Sequence, residues 1–167
     1  MKLLPKIARG DLHALELLYA QKKTSVYRLV LSMIGDSFLA EDITQETFLR
    51  IQEQAETYRN DISETAWIVT IARNLTYDIL RRRSREIVNE NAVSKDAFVM
   101  PDSDGQSNLM FIDLIKDLSQ IEKEIICLRI LANLPWHEIG QITGQSADAS
   151  RKRYARSLKK LRGQLQP

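Results

Sequence analysis

Apolar residues recur through the first half of the chain at the spacing of amphipathic helices. The first such stretch begins after Asp11, a good N-cap, and ends at Gly35. A second predicted helix covers residues 36–58. A third covers about 65–86, and its apolar stripe consists of Ile68, Ile71, Ala72, Leu75 and Ile79. The first half is therefore predicted to form three helices that pack through their apolar stripes.

Residues 87–108 lack any helical period and carry a net charge of about −3, with Pro101 among Asn, Ser, Asp and Gly. We interpret them as a flexible linker, which would span about 70 Å if fully extended. The linker divides the chain into two predicted modules, residues 1–86 and 109–167.

The second module has the pattern of a helix-turn-helix. Ser119 and Glu122 form a capping box that begins one helix. A short helix over 136–143 follows, then a tight turn at Gly144 and a longer helix over 147–162. The predicted fold class is therefore all-α, with two small helical domains joined by the linker.

Composition narrows the possibilities further. Six glycines and four prolines in 167 residues disfavour a turn-rich β fold. A single cysteine, Cys127, excludes an intramolecular disulfide framework and multi-cysteine metal sites, and its apolar surroundings favour a buried thiol. No uncharged apolar run reaches the length of a transmembrane helix, and no signal peptide or enzymatic motif is evident. We expect a soluble, cytoplasmic protein that is not an enzyme and needs no metal or cofactor.

The small net charge of +2 conceals a strong segregation of charge. Residues 41–64 hold seven acidic side chains and two arginines, whereas residues 73–85 hold five arginines and one aspartate. In residues 147–167, seven basic side chains accompany only Asp148. Two separate basic segments predict two nucleic-acid contacts, and the acidic segment predicts a protein-facing surface.

The last helix is the stronger of the two nucleic-acid candidates. Ser146 can cap it, Gly163 is predicted to end it, and Arg151, Lys152 and Ala155 would lie nearest the bases. A solvated charged face is the alternative, which we disfavour because a glycine turn and a capped helix precede it. The arginines at 81–85 alone are a weaker signal, since they also complement a helix dipole.

Asn74 lies within an apolar helical stretch, where its poor helix propensity and its need for polar partners leave a recognition role open. Trp67 and Tyr77 are more typical of core or half-buried positions than of base-stacking platforms. The segment from Ala40 to Phe48 mixes acidic and apolar residues, which fits a docking edge for a partner helix and equally an ordinary surface helix.

The chain resembles the extracytoplasmic-function (ECF) sigma factors of bacterial RNA polymerase over nearly all residues outside the linker. The segment Ala40-Glu41-Asp42-Ile43-Thr44-Gln45-Glu46-Thr47-Phe48-Leu49-Arg50 is similar to that family's most characteristic stretch. Ile71-Ala72-Arg73-Asn74 and Asp78-Ile79-Leu80-Arg81-Arg82-Arg83 are similar to the next one. Residues 118–161 resemble the family's helix-turn-helix, and the opening helix with Gly10-Asp11 also fits.

The resemblance implies partners and roles for particular residues. Core polymerase is the implied partner through its largest and second-largest subunits, and the largest would be bound by Asp42, Gln45, Glu46, Phe48, Leu49 and Gln52. The promoter −10 element would be bound by Trp67, Arg73, Asn74, Tyr77, Arg81, Arg82, Arg83 and Arg85, with Asn74 holding a flipped base. The −35 element would be bound by Ser146, Arg151, Lys152, Arg153, Ala155, Arg156 and Lys159. An anti-sigma factor is a further implied partner, whereas a small-molecule substrate is not.

Three positions depart from the family pattern. Ala149 and Ser150 stand where a Thr-Val pair is usual, and Gly140 stands where Ala is usual. Ser150 replaces an inward-facing apolar residue, so the seating of the recognition helix is expected to be looser. A stand-alone helix-turn-helix regulator and a sigma-like decoy that binds partners without initiating transcription remain the alternative functions.

Overall fold

The computed structural model of the protein describes residues 2–89 and 105–165, and within these ranges all regular structure is helical. This confirms the predicted all-α class. Eight α-helices lie in the described ranges: α1 Leu4–Ile7, α2 Leu12–Ile34, α3 Ser37–Gln54, α4 Glu64–Asn89, α5 Gly105–Ile115, α6 Gln120–Ile130, α7 Trp136–Thr143 and α8 Ala147–Leu165. A 3₁₀ turn, Ala55–Thr57, follows α3.

The helix ends of the first module follow from capping chemistry. The Asp11 carboxylate accepts a hydrogen bond from the Ala14 backbone N–H at 3.0 Å, and Asp36 accepts one from Leu39 at 3.1 Å. Gly35 separates α2 from α3 with a φ of 68°, the left-handed conformation that favours glycine. These predicted boundaries are confirmed.

The predicted end of the last helix at Gly163 is wrong. Helix α8 continues through this residue to Leu165, and Gln164 Nε2 donates a hydrogen bond to Asp117 Oδ2 at 2.9 Å. Glycine only weakens a helix interior by roughly 0.5–1 kcal/mol, so a favourable side-chain contact suffices to carry the helix onward.

Helices also extend into both ends of the predicted linker, because α4 reaches Asn89 and α5 begins at Gly105. Residues 90–104, the remainder of that prediction, lie outside the described residues. The short helix α1 was not predicted. Its backbone N–H groups at Leu3 and Leu4 donate to Glu64, which joins the start of the chain to the start of α4.

The core of the first module is formed by α1 to α4. Leu18, Val30, Ile43, Ile51 and Ile68 are fully buried there, as the periodicity predicted. Three buried threonines hydrogen bond back to the carbonyl four residues earlier and so satisfy their hydroxyls; they are Thr44, Thr47 and Thr76. The result is an apolar scaffold that fixes the faces of α3 and α4.

The helix-turn-helix of the second module is closely packed at its turn. The capping box of Ser119 and Glu122 is present at the start of α6. A Cβ at Gly140 would lie 2.6 Å from the backbone oxygen of Gln145, so α7 approaches the turn too closely for any side chain. Gly144 has a φ of 70°, as the predicted tight turn requires.

The two modules pack directly on each other through α2 and α4 on one side and α6 and α7 on the other. Leu29, Met33 and Val69 of the first module share one buried apolar cluster with Leu128 and Ile139 of the second. The helix-turn-helix is therefore seated on the first module through a continuous core.

Candidate functional site

An apolar groove of about 390 Å³ lies between α2 and α3. Its lining comprises Leu15, Glu16 and Tyr19 of α2 with Gln45, Phe48, Leu49 and Gln52 of α3. Four residues predicted for polymerase binding therefore meet in one surface. Phe48 is buried against Tyr19 edge to face at 4.8 Å, whereas Leu49 is 56% exposed. The groove is a ready docking surface for an apolar side chain of a partner.

Glu16 is the acidic side chain among the residues that line this groove, and further acidic and polar side chains follow along α3. Asp42 and Gln45 are exposed, and Glu46 accepts a hydrogen bond from Arg50 Nε at 2.8 Å. Such a surface, apolar at its centre and acidic at its rim, fits a basic partner helix. The contribution of α2 to the groove was missed from the sequence, although Leu15 and Tyr19 follow the same helical period.

The exposed face of α4 carries a polar and basic row. Asn74 is exposed, and its side chain has no hydrogen-bond partner among the described residues. Arg81 pairs with Asp78 at 2.6 Å, and Arg83 pairs with Asp36 at 3.1 Å. Arg82 and Arg85 extend the exposed row. An exposed amide followed by four arginines is suited to a nucleic-acid strand.

Three other residues predicted for the −10 surface are tied into the protein. Trp67 packs edge to face on Tyr58 at 5.7 Å. Arg73 Nε and the Tyr77 hydroxyl both donate to the carboxylate of Glu124, which belongs to α6 of the second module. Burial, together with the bond to Glu124, raises the pKa of Tyr77 to about 12, so its hydroxyl remains a donor.

Sequence reasoning missed Glu124, although a signal was present. It lies in an apolar run three residues after Ile121 and four before Leu128, on the face that becomes buried. An acidic residue at such a position requires a cationic or hydrogen-bonding partner. The sequence does not show which basic residue supplies it, because Arg73 is 51 residues away.

The basic face of α8 is largely open to solvent. Ser146 caps the helix by accepting from the Ala149 N–H at 3.0 Å. Arg151 and Lys152 are exposed and pair with Asp148, and their hydrogen bonds hold the pKa of that carboxyl below its usual range. Also exposed are Ala155, Arg156 and Lys159. This is the arrangement of a helix that presents its first turns to a ligand.

Arg153 does not share this exposure. Its side chain is half-buried, and its Nε has no hydrogen-bond partner within the described residues. Ser150 is fully buried beside the same turn, and its hydroxyl likewise has no partner within that part of the chain. The inward orientation expected for position 150 is thus observed, with a polar residue in an apolar position.

Comparisons with known proteins decide the family. Residues 18–86 match the family Sigma-70 region 2, and residues 114–163 match Sigma-70, region 4. The chain belongs to the ECF sigma factors of RNA polymerase. This family consists of transcription initiation factors and not of enzymes.

Its relatives resemble this sigma factor over most of its length. It is 29% identical to the ECF RNA polymerase sigma factor BldN of Streptomyces coelicolor, over 96% of this chain and 64% of that protein. It is 28% identical to the RNA polymerase sigma factor CarQ of Myxococcus xanthus, over 92% of this chain and 90% of that protein. The chain thus spans just under two thirds of one relative and nearly all of the other.

A solved structure shows the same fold. The sigma factor RpoE of Bartonella quintana, in complex with the anti-sigma factor NepR, superposes with a TM-score of 0.77 at 21% identity, covering 90% of this chain and 95% of that one. None of the helices in the described ranges is long and apolar enough to span a membrane.

Proposed function

We propose that this sigma factor binds core RNA polymerase and directs it to promoters through a −10 and a −35 element. The observation that carries the proposal is the occurrence of three suitable surfaces on one chain: the groove between α2 and α3, the exposed Asn74 with its arginine row, and the basic face of α8. A stand-alone helix-turn-helix regulator needs only the third.

The groove would receive the largest subunit of the polymerase. Asp42, Gln45, Glu46, Phe48, Leu49 and Gln52 are proposed to contact it. The acidic rim would steer a basic partner helix, and the apolar centre would hold it through Leu49 and the ring of Phe48. Leu15 and Tyr19 also line the groove and are proposed as further contacts for the polymerase.

The exposed face of α4 would engage the −10 element. The exposed Asn74 amide, which has no hydrogen-bond partner among the described residues, would bond the edge of an extruded base. Arg81, Arg82, Arg83 and Arg85 would neutralise the phosphates that follow. Extruding a base costs a few kcal/mol, so a bound base helps to keep the strands apart.

The face of α8 would engage the −35 element in the major groove. The exposed Arg151, Lys152, Ala155 and Arg156 would contact base edges, and Ser146 and Lys159 would contact phosphates. Arg153 is assigned to a backbone contact, which its half-buried guanidinium restricts to the edge of the surface.

Residues 1–86 and 109–167 would form the two functional domains, joined by residues 87–108. An anti-sigma factor is a proposed partner, supported by the fold shared with RpoE, whose structure contains the anti-sigma factor NepR. Because its proposed partner is cytoplasmic RNA polymerase, the chain would act in the cytoplasm.

Co-purification with core RNA polymerase tests the function. The wild-type chain is compared with an Asp42→Arg, Glu46→Arg double variant, whose rim charge is reversed. A matched control, Glu53→Arg with Glu56→Arg, makes the same charge change at exposed positions outside the groove. We expect the wild type and the control to bind, and the rim variant to lose binding.

Failure of the wild type to bind would contradict the proposal. If the same chain bound duplex DNA, the stand-alone regulator would replace it. Equal binding by the rim variant and the wild type would move the polymerase contact away from the groove.

A further inference from the structure

The contact between the two modules has a polar centre that the apolar cluster does not require. Glu124 of α6 is 0% exposed, and both groups that satisfy its carboxylate come from α4. Arg73 Nε donates to Oε2 at 2.7 Å, and the Tyr77 hydroxyl donates to Oε1. The Arg73 guanidinium also lies over the Tyr77 ring at 4.7 Å. One carboxylate of the second module thus holds two side chains of the first.

A second acidic residue fastens the start of the same helix. Glu138 of α7 accepts from the Ser63 backbone N–H at 2.6 Å and from the Ser63 hydroxyl at 2.7 Å. Ser63 directly precedes α4, where a negative charge is favoured by the helix dipole. Helix α4 is therefore held at its start and at its middle by acids of the other module.

The chemistry at Glu124 is that of a phosphate site. A guanidinium N–H and a phenol O–H converging on two oxygens of one anion are the donors that nucleic-acid proteins use on backbone phosphates. Arg73 and Tyr77 lie one turn apart on α4, on either side of Asn74 along the chain. A strand bound at Asn74 would run past these two residues, which could not donate to a phosphate and to Glu124 at the same time.

We propose that Glu124 is an autoinhibitory latch: it occupies Arg73 and Tyr77 in place of a DNA phosphate and keeps the two modules closed on each other. The inference rests on the proposed role of α4 in binding the −10 strand. DNA engagement by α4 and closure of the modules are then competing states of one chain.

Energetics separate the latch from an ordinary structural ion pair. If the modules part, Glu124 loses its two partners on α4, and we expect its carboxylate to return to water, so that its removal costs the open state little. In the closed state the buried carboxylate and its two donors depend on one another. A substitution at Glu124 therefore acts on the balance between the states.

The test uses the full-length chain without polymerase. Glu124→Gln keeps the shape of the side chain and removes its charge, and Glu124→Lys adds repulsion toward Arg73. The matched control is Glu122→Gln on the same helix, where the carboxylate pairs with Lys160 of its own module at 2.7 Å. Circular dichroism confirms that helix content is retained in each variant.

Two quantities are measured for each protein. The first is the radius of gyration by small-angle X-ray scattering. It should be about 15 Å for a compact chain of this length. The second is the affinity for a fluorescein-labelled single-stranded DNA of mixed sequence, by fluorescence anisotropy. We expect both to rise from wild type to Glu124→Gln to Glu124→Lys, the affinity by about fivefold or more. The control should match the wild type.

Unchanged radius and affinity in both Glu124 variants would overturn the latch. A larger radius without tighter DNA binding would also overturn it, because Glu124 would then hold the modules without competing with DNA. Equal gains in the control would assign the effect to net charge alone. None of these outcomes depends on polymerase, so failure of the latch and failure of the sigma function are distinguishable.

Discussion

Helices α4 and α8 both carry basic rows, but the protein holds them in opposite ways. On α8, Arg156 and Lys159 face solvent and the pairing of Arg151 and Lys152 is with a neighbour on their own helix. On α4, Arg73 is bound by a buried carboxylate from the other module. In the free chain the proposed DNA-binding face of α8 is therefore largely open, whereas that of α4 is only partly available.

The largest effect is expected from a change in the packing of the turn that precedes α8. Gly140→Ala places a Cβ 2.6 Å from the Gln145 backbone oxygen, which belongs to the turn before α8. Overpacking against backbone is expected to lower the free energy of unfolding by about 1–3 kcal/mol. Urea denaturation measures it.

Gly163→Ala is the matched control for this change. It adds the same methyl group within α8, where no other part of the described chain lies within 4 Å of it. It should raise the free energy of unfolding by roughly 0.5–1 kcal/mol. A neutral result for Gly140→Ala would show that the turn can yield.

The openness of α8 predicts a direct contribution to DNA binding. Arg156→Ala should lower the affinity of the chain for duplex DNA by about three- to tenfold and reduce the salt dependence by about one counterion. Lys160→Ala removes a cation from the same helix that Glu122 already binds at 2.7 Å. Its effect should be smaller, and equal losses in a salt titration would contradict the assignment.

The buried hydroxyl of Ser150 predicts that α8 is held less tightly than it could be. Ser150→Ala should raise the free energy of unfolding by about 1 kcal/mol, because the removed hydroxyl has no partner within the described residues. The control is Ser157→Ala, which removes an equally buried hydroxyl that donates to the Arg153 carbonyl at 2.9 Å. Thermal unfolding should show no gain for this control.

The smallest expected effect is a pH dependence in the second module. Burial alone would raise the pKa of Glu122, but hydrogen bonds from Lys160 and from Ser119 outweigh it and lower the pKa below 4.5. A lowered folded-state pKa stabilises the protein above 4.5, and this stabilisation is lost as the pH falls through the lowered value. Glu122→Gln should therefore flatten the fall in thermal stability from about pH 6 to about pH 3. An unchanged fall would assign it to other carboxylates.

Much of the fold was accessible from the sequence because its signals are local. Asp11, Gly35, Ser119 and Gly144 mark helix ends through capping and through backbone freedom, and the structure confirms each. The predicted helix end at Gly163 was wrong, because a glycine ends a helix only when nothing beyond it favours continuation. Here the Gln164 side chain donates a hydrogen bond to Asp117.

The candidate site divides in the same way. Asn74 and the exposed arginines follow from position along one helix, so their exposure could be expected. The groove depends on the contact between Tyr19 and Phe48, and the latch depends on the contact between Arg73 and Glu124. Neither could be predicted from the sequence, because the residues of each pair are far apart in the chain. Periodicity identifies a buried face but does not say which helix covers it.

Transcription from genomic DNA with reconstituted polymerase tests whether this chain directs initiation at promoters. Core polymerase is combined with the wild-type chain or with Asn74→Ala, and the start sites of the transcripts are mapped. We expect discrete start sites with shared upstream elements for the wild type. We expect few or none for the variant, which should still bind core. If the wild type gave the same start sites as core polymerase alone, this chain would not direct initiation.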